Sequence, residues 1–364
     1  MMQELHGEEK IYLWLDSFPL EKSEKHRLLK AAGGAKPLLS ALDSAFFKAF
    51  KDEKKELLRA MKASLLDGGE YFRRYTAKLS ERALTPVTLL DKRYPDALKT
   101  LSTPPLVLYA KGNLDLLNEP LFCVVGSRRT GEATMKIGAK ITEELSKCFT
   151  ILTGTADGGD YAAVHGALKG TRKVVCFAAG GYDAVPKTND LLAKVEKHGL
   201  LLTAQPYFVP VRTFSYKERN ETMAAMAQAA LVLSAGEKSG ALITANNIVK
   251  FGKPLFALPY PPESYTGKGC NALIKEGAHL TETAEDIFKT LGVTPPERKQ
   301  EELVLTDRER TVYSLLQTET ELTASQIAVR TGLPAYLIGG TIASLEVKGL
   351  VVKTGAGRVR LLAE

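Results

Sequence analysis

LFCVVGSRRTGEATMKIG, Leu121–Gly138, changes character at Gly126. Five apolar residues, Leu121 to Val125, read as a strand buried on both faces. Two arginines and a second glycine, Gly131, follow. From Glu132 the spacing is that of a helix. A strand, a tight glycine turn and a helix are one half of a βαβ unit. Five further apolar runs recur downstream between helical stretches: FTILT, KVVCFAA, GLLLTA, ALVLSA and PLFALP. They are continuous and not alternating, as in a parallel sheet covered by helices. The expected fold class is therefore α/β, an extended Rossmann-like, doubly wound, mainly parallel sheet.

Outward from this core the pattern differs. Residues 1–85 read as a helical domain, with Gly33-Gly34 breaking the periodicity. Either a helix–hairpin–helix (SAM-like) element or a plain structural helical domain accounts for the pair. The α/β domain is placed at 86–293. TPPERKQEE, Thr294–Glu302, is a polar linker. Residues 303–364 then read as helix, helix–turn–helix and small hairpin, the order of a winged helix.

Composition narrows the function. The chain has 364 residues, is 45% hydrophobic and 25% charged, and carries a net charge of +7. This permits a polyanionic partner without requiring one. The charge is spread out: residues 303–364 hold seven Lys and Arg against six Asp and Glu. The last domain can serve as a protein-contact module or a weak DNA module. The four cysteines, Cys123, Cys148, Cys176 and Cys270, have no C-x-x-C spacing and read as reduced core thiols. No signal peptide and no apolar run of membrane-spanning length is apparent, so a cytoplasmic location without membrane contact is expected.

In doubly wound sheets ligands bind at the carboxyl ends of the strands. The loop GSRRTG is not a dinucleotide fingerprint, because Arg128 stands where the second glycine would. Nor is it a P-loop, because Glu132 and Ala133 replace the Lys and Ser/Thr. It keeps what anion binding requires, namely glycines, a helix N-terminus and guanidinium groups. In TGTADGGDYAAVH, Gly154, Gly158 and Gly159 let backbone approach closely, and Asp160 suits a helix cap. Asp160 and His165 fall about 140° apart on a helix, which disfavours a catalytic pair and leaves His165 as a packing residue. Arg212, Phe214, Tyr216, Arg219 and Asn220 combine cations with aromatics, as phosphate pairing with base stacking would. A solvated helix face packed by aromatics fits the same residues. Ser239-Gly240 opens a later helix, with Thr244 one turn in.

These loops together resemble the DNA-processing protein A family, DprA, also called Smf. The matching motifs are YPDALKTLSTPPLVLYAKGN, VVGSRRTG, TGTADGGDYAAVHGAL, GGYDAVPKTN, Arg219-Asn220, SGALITA and GKGCNALIKEGA, in the family's order over roughly residues 90–285. The resemblance implies a homodimer that binds single-stranded DNA, protects incoming DNA and delivers it to the RecA recombinase in natural transformation. It implies no catalytic residue, no metal and no cofactor. The DNA-contacting set it implies is Gly126, Ser127, Arg128, Arg129, Gly154, Lys187, Arg219, Asn220, Ser239, Gly240 and Thr244. Two positions depart from the family pattern toward acid, Asp157 and Glu221. The alternative function is a small-nucleotide sensor or a nucleotide-processing enzyme of the phosphoribohydrolase-like fold. The catalytic Glu of those enzymes has no counterpart in AGEKSGALITANN.

Overall fold

A computed structural model describes residues 7–51, 53–185, 190–296, 305–319 and 321–362. Two compact units divide after Pro296.

The first unit begins with helices between Gly7 and Glu81. Lys22–Ala32 shows why they stop and start where they do. The Glu21 amide donates to Glu24 Oε2 (2.9 Å), and Gly33 ends the helix at φ 83° while the Gly34 amide returns to Leu29 O. A left-handed residue at that position favours glycine. The helices share one core with the sheet edge: Leu13, Leu28, Phe46, Met61 and Leu79 pack with Val107 and Tyr109. Inside that core the Tyr109 hydroxyl donates to Asp16 Oδ2 (2.8 Å), and Lys25 Nζ donates to Asp16 Oδ1 (2.7 Å).

The sheet has nine strands: β1 (Thr85–Thr88), β2 (Val107–Gly112), β3 (Leu121–Gly126), β4 (Thr150–Thr153), β5 (Val174–Ala178), β6 (Leu200–Thr203), β7 (Ala229–Ser234), β8 (Leu255–Ala257) and β9 (His279–Leu280). Their order is β1-β2-β6-β5-β4-β3-β7-β8-β9. The seven strands from β6 to β9 are parallel, while β2 runs antiparallel to both β1 and β6. The Rossmann-like α/β class read from the sequence holds. Strands β3 to β8 coincide with the six apolar runs; β1, β2 and β9 are additions. From β3 the chain winds one way through β4, β5 and β6, then returns to the other side at β7. The switch point lies between β3 and β7, where ligands bind in this architecture. Cys123 and Val125 face one core layer and Phe122 and Val124 the other, which explains the continuous apolar run.

In the PLFALP run, Leu255, Phe256, Ala257 and Leu258 are buried inside this chain's own sheet, as its reading as a buried strand expects. Cys123, Cys176 and Cys270 are buried free thiols, as expected, and burial pushes the first two well above the ordinary thiol range.

The second unit contains helices Asp307–Thr318, Ala324–Thr331 and Ala335–Val347 with strands β10 (Leu322–Thr323), β11 (Val351–Lys353) and β12 (Arg358–Leu361) in the order β10-β12-β11. Val312, Leu316, Ile327, Ile338, Ile342, Leu345 and Val359 form its core. Glu309 is almost wholly buried at its edge and accepts from Lys348 Nζ (2.7 Å), Ser344 Oγ (2.6 Å) and the Thr306 amide (2.7 Å). These bonds, Lys348 foremost, lower its pKa from 4.5 to about 2. A lowered folded pKa stabilises above the unfolded value and ceases to as pH falls through the folded one. Glu309→Gln should therefore melt below the wild type at pH 7. The difference should shrink as pH falls from 4.5 and be gone below about 2, as thermal scans across that range will test.

Candidate nucleic-acid interface

Three strand-end loops are bolted into one body. The Ser127 amide, just past β3, donates to Ser234 O (2.9 Å) at the end of β7. Thr130 Oγ1 shares a hydrogen bond with Ser234 Oγ (2.5 Å), and the Gly159 amide donates to Ser127 O (3.1 Å). A Cβ on Gly159 would lie 2.3 Å from Gly126 Cα, and one on Gly158, at φ +75°, would lie 2.2 Å from Ser127 O. No side chain fits either place.

Beneath these loops lies a buried ion pair. Asp160 lies in the first turn of the helix Gly159–Lys169 and is 4% exposed; Arg219, on the helix Thr213–Met226, is 8% exposed. Arg219 Nη1 sits 3.8 Å from Asp160 Oδ2 and donates to Met223 Sδ. Burial raises the Asp160 pKa, against the pull of Arg219 and of the Ala156 and Gly126 amides. Asp160 thus ties the β3 loop to Arg219, which is more than a helix cap does. Gly154 makes the space: a Cβ there would lie 1.9 Å from Arg219 Nη1 and 2.2 Å from Asp160 Oδ2. Asn220 Nδ2 donates to Gly240 O (3.1 Å), holding the loop after β7.

Two clefts open above this floor. The narrower, about 520 Å³, lies at the switch point between β3 and β7. Gly126, Ser127, Arg128, Arg129, Arg219, Asn220, Ser239, Gly240 and Thr244 all line it. The wider, about 870 Å³, lies over the ends of β4 and β5 and is lined by Asp157, Tyr161, His165, Asp190 and Lys194, among others. Arg128, Ala156, Tyr216 and Arg219 belong to both. The exposed Arg128 guanidinium stands 5.2 Å from the Tyr216 ring centroid, a cation–π pair on the ridge between the clefts.

Of the remaining predicted residues, Gly154 lies behind the ion pair and lines neither cleft, and Lys187 lies outside the described residues. Lys217 and Lys238 line the narrow cleft and were not singled out. Their signal was present, since each sits within two residues of a position that was. His165 is exposed to the wide cleft, so the packing role expected for it is corrected. Glu221 lines neither cleft and instead lies 3.5 Å from Lys22. Two residues beyond Arg219 on a helix, it points about 200° away.

Gly154→Ala should force Arg219 and Asp160 apart. Overpacking of this kind costs about 1–3 kcal/mol, which urea unfolding will measure. An unchanged midpoint would mean that the pair does not depend on this glycine.

The model of the family described as DNA recombination-mediator protein A matches residues 85–292, more than half of the chain. The DNA processing protein DprA of Streptococcus pneumoniae is 32% identical over 223 residues, covering 60% of this chain and 79% of its own. The crystal structure of that species' protein superposes with a TM-score of 0.65 at 27% identity, covering 78% of this chain and 98% of the other. A Helicobacter pylori DprA structure, described by its single-stranded DNA binding mode, gives 0.51 at 27% identity over 57% of this chain and 95% of the other. The chain, whose loops align nine predicted residues along one switch-point cleft, belongs to the DNA recombination-mediator protein A (DprA/Smf) family.

Proposed function

We propose that this protein binds single-stranded DNA without catalysing a reaction on it, protects incoming DNA, and passes it to a RecA-type recombinase. The observation that carries the reading is the position of Arg128. It is exposed, on a ridge between two clefts, over an aromatic ring, at the switch point of the sheet. Arg128, Arg129, Lys217 and Lys238 supply cations to the narrow cleft, while its one carboxylate, Asp160, faces Arg219. A sugar–phosphate backbone fits that lining. The wide cleft offers Tyr161 and Tyr216 beside apolar Ala178, Val185, Leu191 and Val211, a lining suited to unstacked bases. Asp157 and Asp190 there temper the positive field.

Delivery to the recombinase, a homodimeric state and a cytoplasmic location rest on family resemblance. Among the described residues no helix is long and apolar enough to cross a membrane. We assign the second unit as a winged helix that contacts protein. Its longest helix, AYLIGGTIASLEV, has no Lys or Arg to meet a phosphate. The second reading is a nucleotide sensor, favoured by the volume of the wide cleft, which falls in the range of small-molecule sites.

Arg128→Ala tests the main reading. Loss of one charge-assisted contact, about 1.5–3 kcal/mol, should weaken oligo-dT binding roughly 10- to 150-fold by fluorescence anisotropy. The slope of log K against log salt should flatten by about 0.7. Mixed sequences should lose equally, because phosphate contacts carry no sequence information. Arg330→Ala, in the second unit, should change little. A folded Arg128→Ala with unchanged affinity and slope refutes the cleft as the DNA site. Calorimetry with mononucleotides then decides for or against the sensor.

A further inference from the structure

Two aromatic side chains line the narrow cleft, Tyr216 and Tyr265. Tyr216 stands on the ridge shared with the wide cleft and faces Arg128. Tyr265 lies in the loop between β8 and the helix Lys268–Lys275, and it lines the narrow cleft but not the wide one. In the sheet β7 separates β3 from β8, while β4 and β5, under the wide cleft, lie on the other side of β3. Tyr265 therefore borders the narrow cleft on the flank opposite the ridge. At 72% exposure it is the most exposed aromatic residue of the first unit among the described residues. Among those residues its side chain makes no hydrogen bond and no ring contact.

The loop that presents this ring is nevertheless fixed at both ends. The Tyr260 amide donates to Asn271 Oδ1 (3.0 Å), and Asn271 Nδ2 donates to Tyr260 O (2.9 Å). The Tyr260 hydroxyl donates to Leu233 O (2.7 Å) on β7. Gly267 lies so close to the Tyr260 ring that a Cβ there would be 2.1 Å from Cγ. The Gly269 amide donates to Ala235 O (2.8 Å), just past β7. Between these anchors Tyr265 runs beside Gly236, where a Cβ would lie 3.2 Å from Tyr265 O and 3.7 Å from Tyr265 Cε1. An aromatic face held in water on a braced loop carries little ordering cost when a flat ligand covers it. The same cleft supplies Arg129 and Lys238 for a phosphate, so the flat group that arrives with that phosphate is a nucleobase.

We propose that Tyr265 is a base-stacking platform, a second nucleobase subsite on the flank of the narrow cleft away from the wide one. The proposal rests on the reading of the narrow cleft as the site of the single strand. The strand sends bases into the wide cleft, lays its phosphates along the narrow one and stacks a further base on Tyr265. Every base has a π-face, so the subsite accepts any sequence. It selects for single strands, because a base in a duplex is already stacked and paired.

Fluorescence anisotropy over a salt series, with the full chain, tests this. Tyr265→Ala should weaken oligo-dT binding roughly 5- to 150-fold, the range for loss of one stacked base. The slope of log K against log salt should not change, because the phenol releases no counterion. Tyr265→Phe keeps the ring and should stay within about twofold of the wild type. An abasic strand of equal length keeps the phosphates and removes the bases; wild type and Tyr265→Ala should bind it alike at low salt. The ring is exposed, so both variants should melt with the wild type. Unchanged oligo-dT affinity in Tyr265→Ala, an equal loss on the abasic strand, or a loss shared by Tyr265→Phe overturns the subsite. If Tyr265→Ala is unchanged while Arg128→Ala is weakened, the subsite alone falls. If the wild type does not bind oligo-dT, the reading of the cleft falls and takes the subsite with it.

Discussion

The backbone of Gly126 rests against that of Gly159, and the arrangement of the strand ends depends on that contact. Two chain segments this close leave no space for a Cβ on either. The approach lets the Gly159 amide reach Ser127 O and brings Ser127 to Ser234, so the loops after β3, β4 and β7 share one network. A loop so held presents its side chains at fixed places, and preorganisation reduces the ordering cost of binding. Two arginines at the mouth of a strand would otherwise be solvated flexible charges. Here the turn that carries them is rigid, and Arg128 is further steadied by Tyr216.

Arg219 works differently from the arginines of the loop. A buried ion pair contributes little net stability, because desolvation opposes the Coulomb attraction, yet removing one partner is costly. Arg219 and Asp160 are such a pair, and they are linked to the backbone amides of Ala156 and Gly126. Their value is geometric. They join the helix Thr213–Met226 to the loops of β3 and β4, and Gly154 is kept free of a side chain to admit them. Arg219 is thus scaffold first and cleft wall second, whereas Arg128, Arg129, Lys217 and Lys238 are, under the proposed function, the cations that meet phosphate.

Much of this was legible in residue order. Continuous apolar runs betray buried parallel strands, so β3 to β8 and the α/β class could be read. Glycine-rich strand ends mark the loops, so the narrow cleft could be assembled residue by residue. What was hidden depends on partners distant in sequence. β2 joins antiparallel through pairing with β6, some ninety residues away, and its residues belong as much to the N-terminal core as to the sheet. The burial of Arg219 was equally invisible: its partner Asp160 lies on another helix, and the glycine that admits both is on a third segment.

The acidic departures illustrate the same limit. Read along the chain, Glu221 sits beside Arg219-Asn220 and looks like a charge set against DNA. On the helix it faces Lys22, away from both clefts, so its charge is spent on the N-terminal helices and leaves the lining of both clefts unchanged. Asp157 does face the wide cleft, with Asp190. Among the described residues, carboxylates thus line the wide cleft, while the narrow one has only Asp160, which Arg219 faces. A uniformly basic groove would hold a polyanion in any register. Under the proposed function, a cationic channel beside a mixed, aromatic one repels phosphate from the second and fixes which edge of the strand enters which cleft.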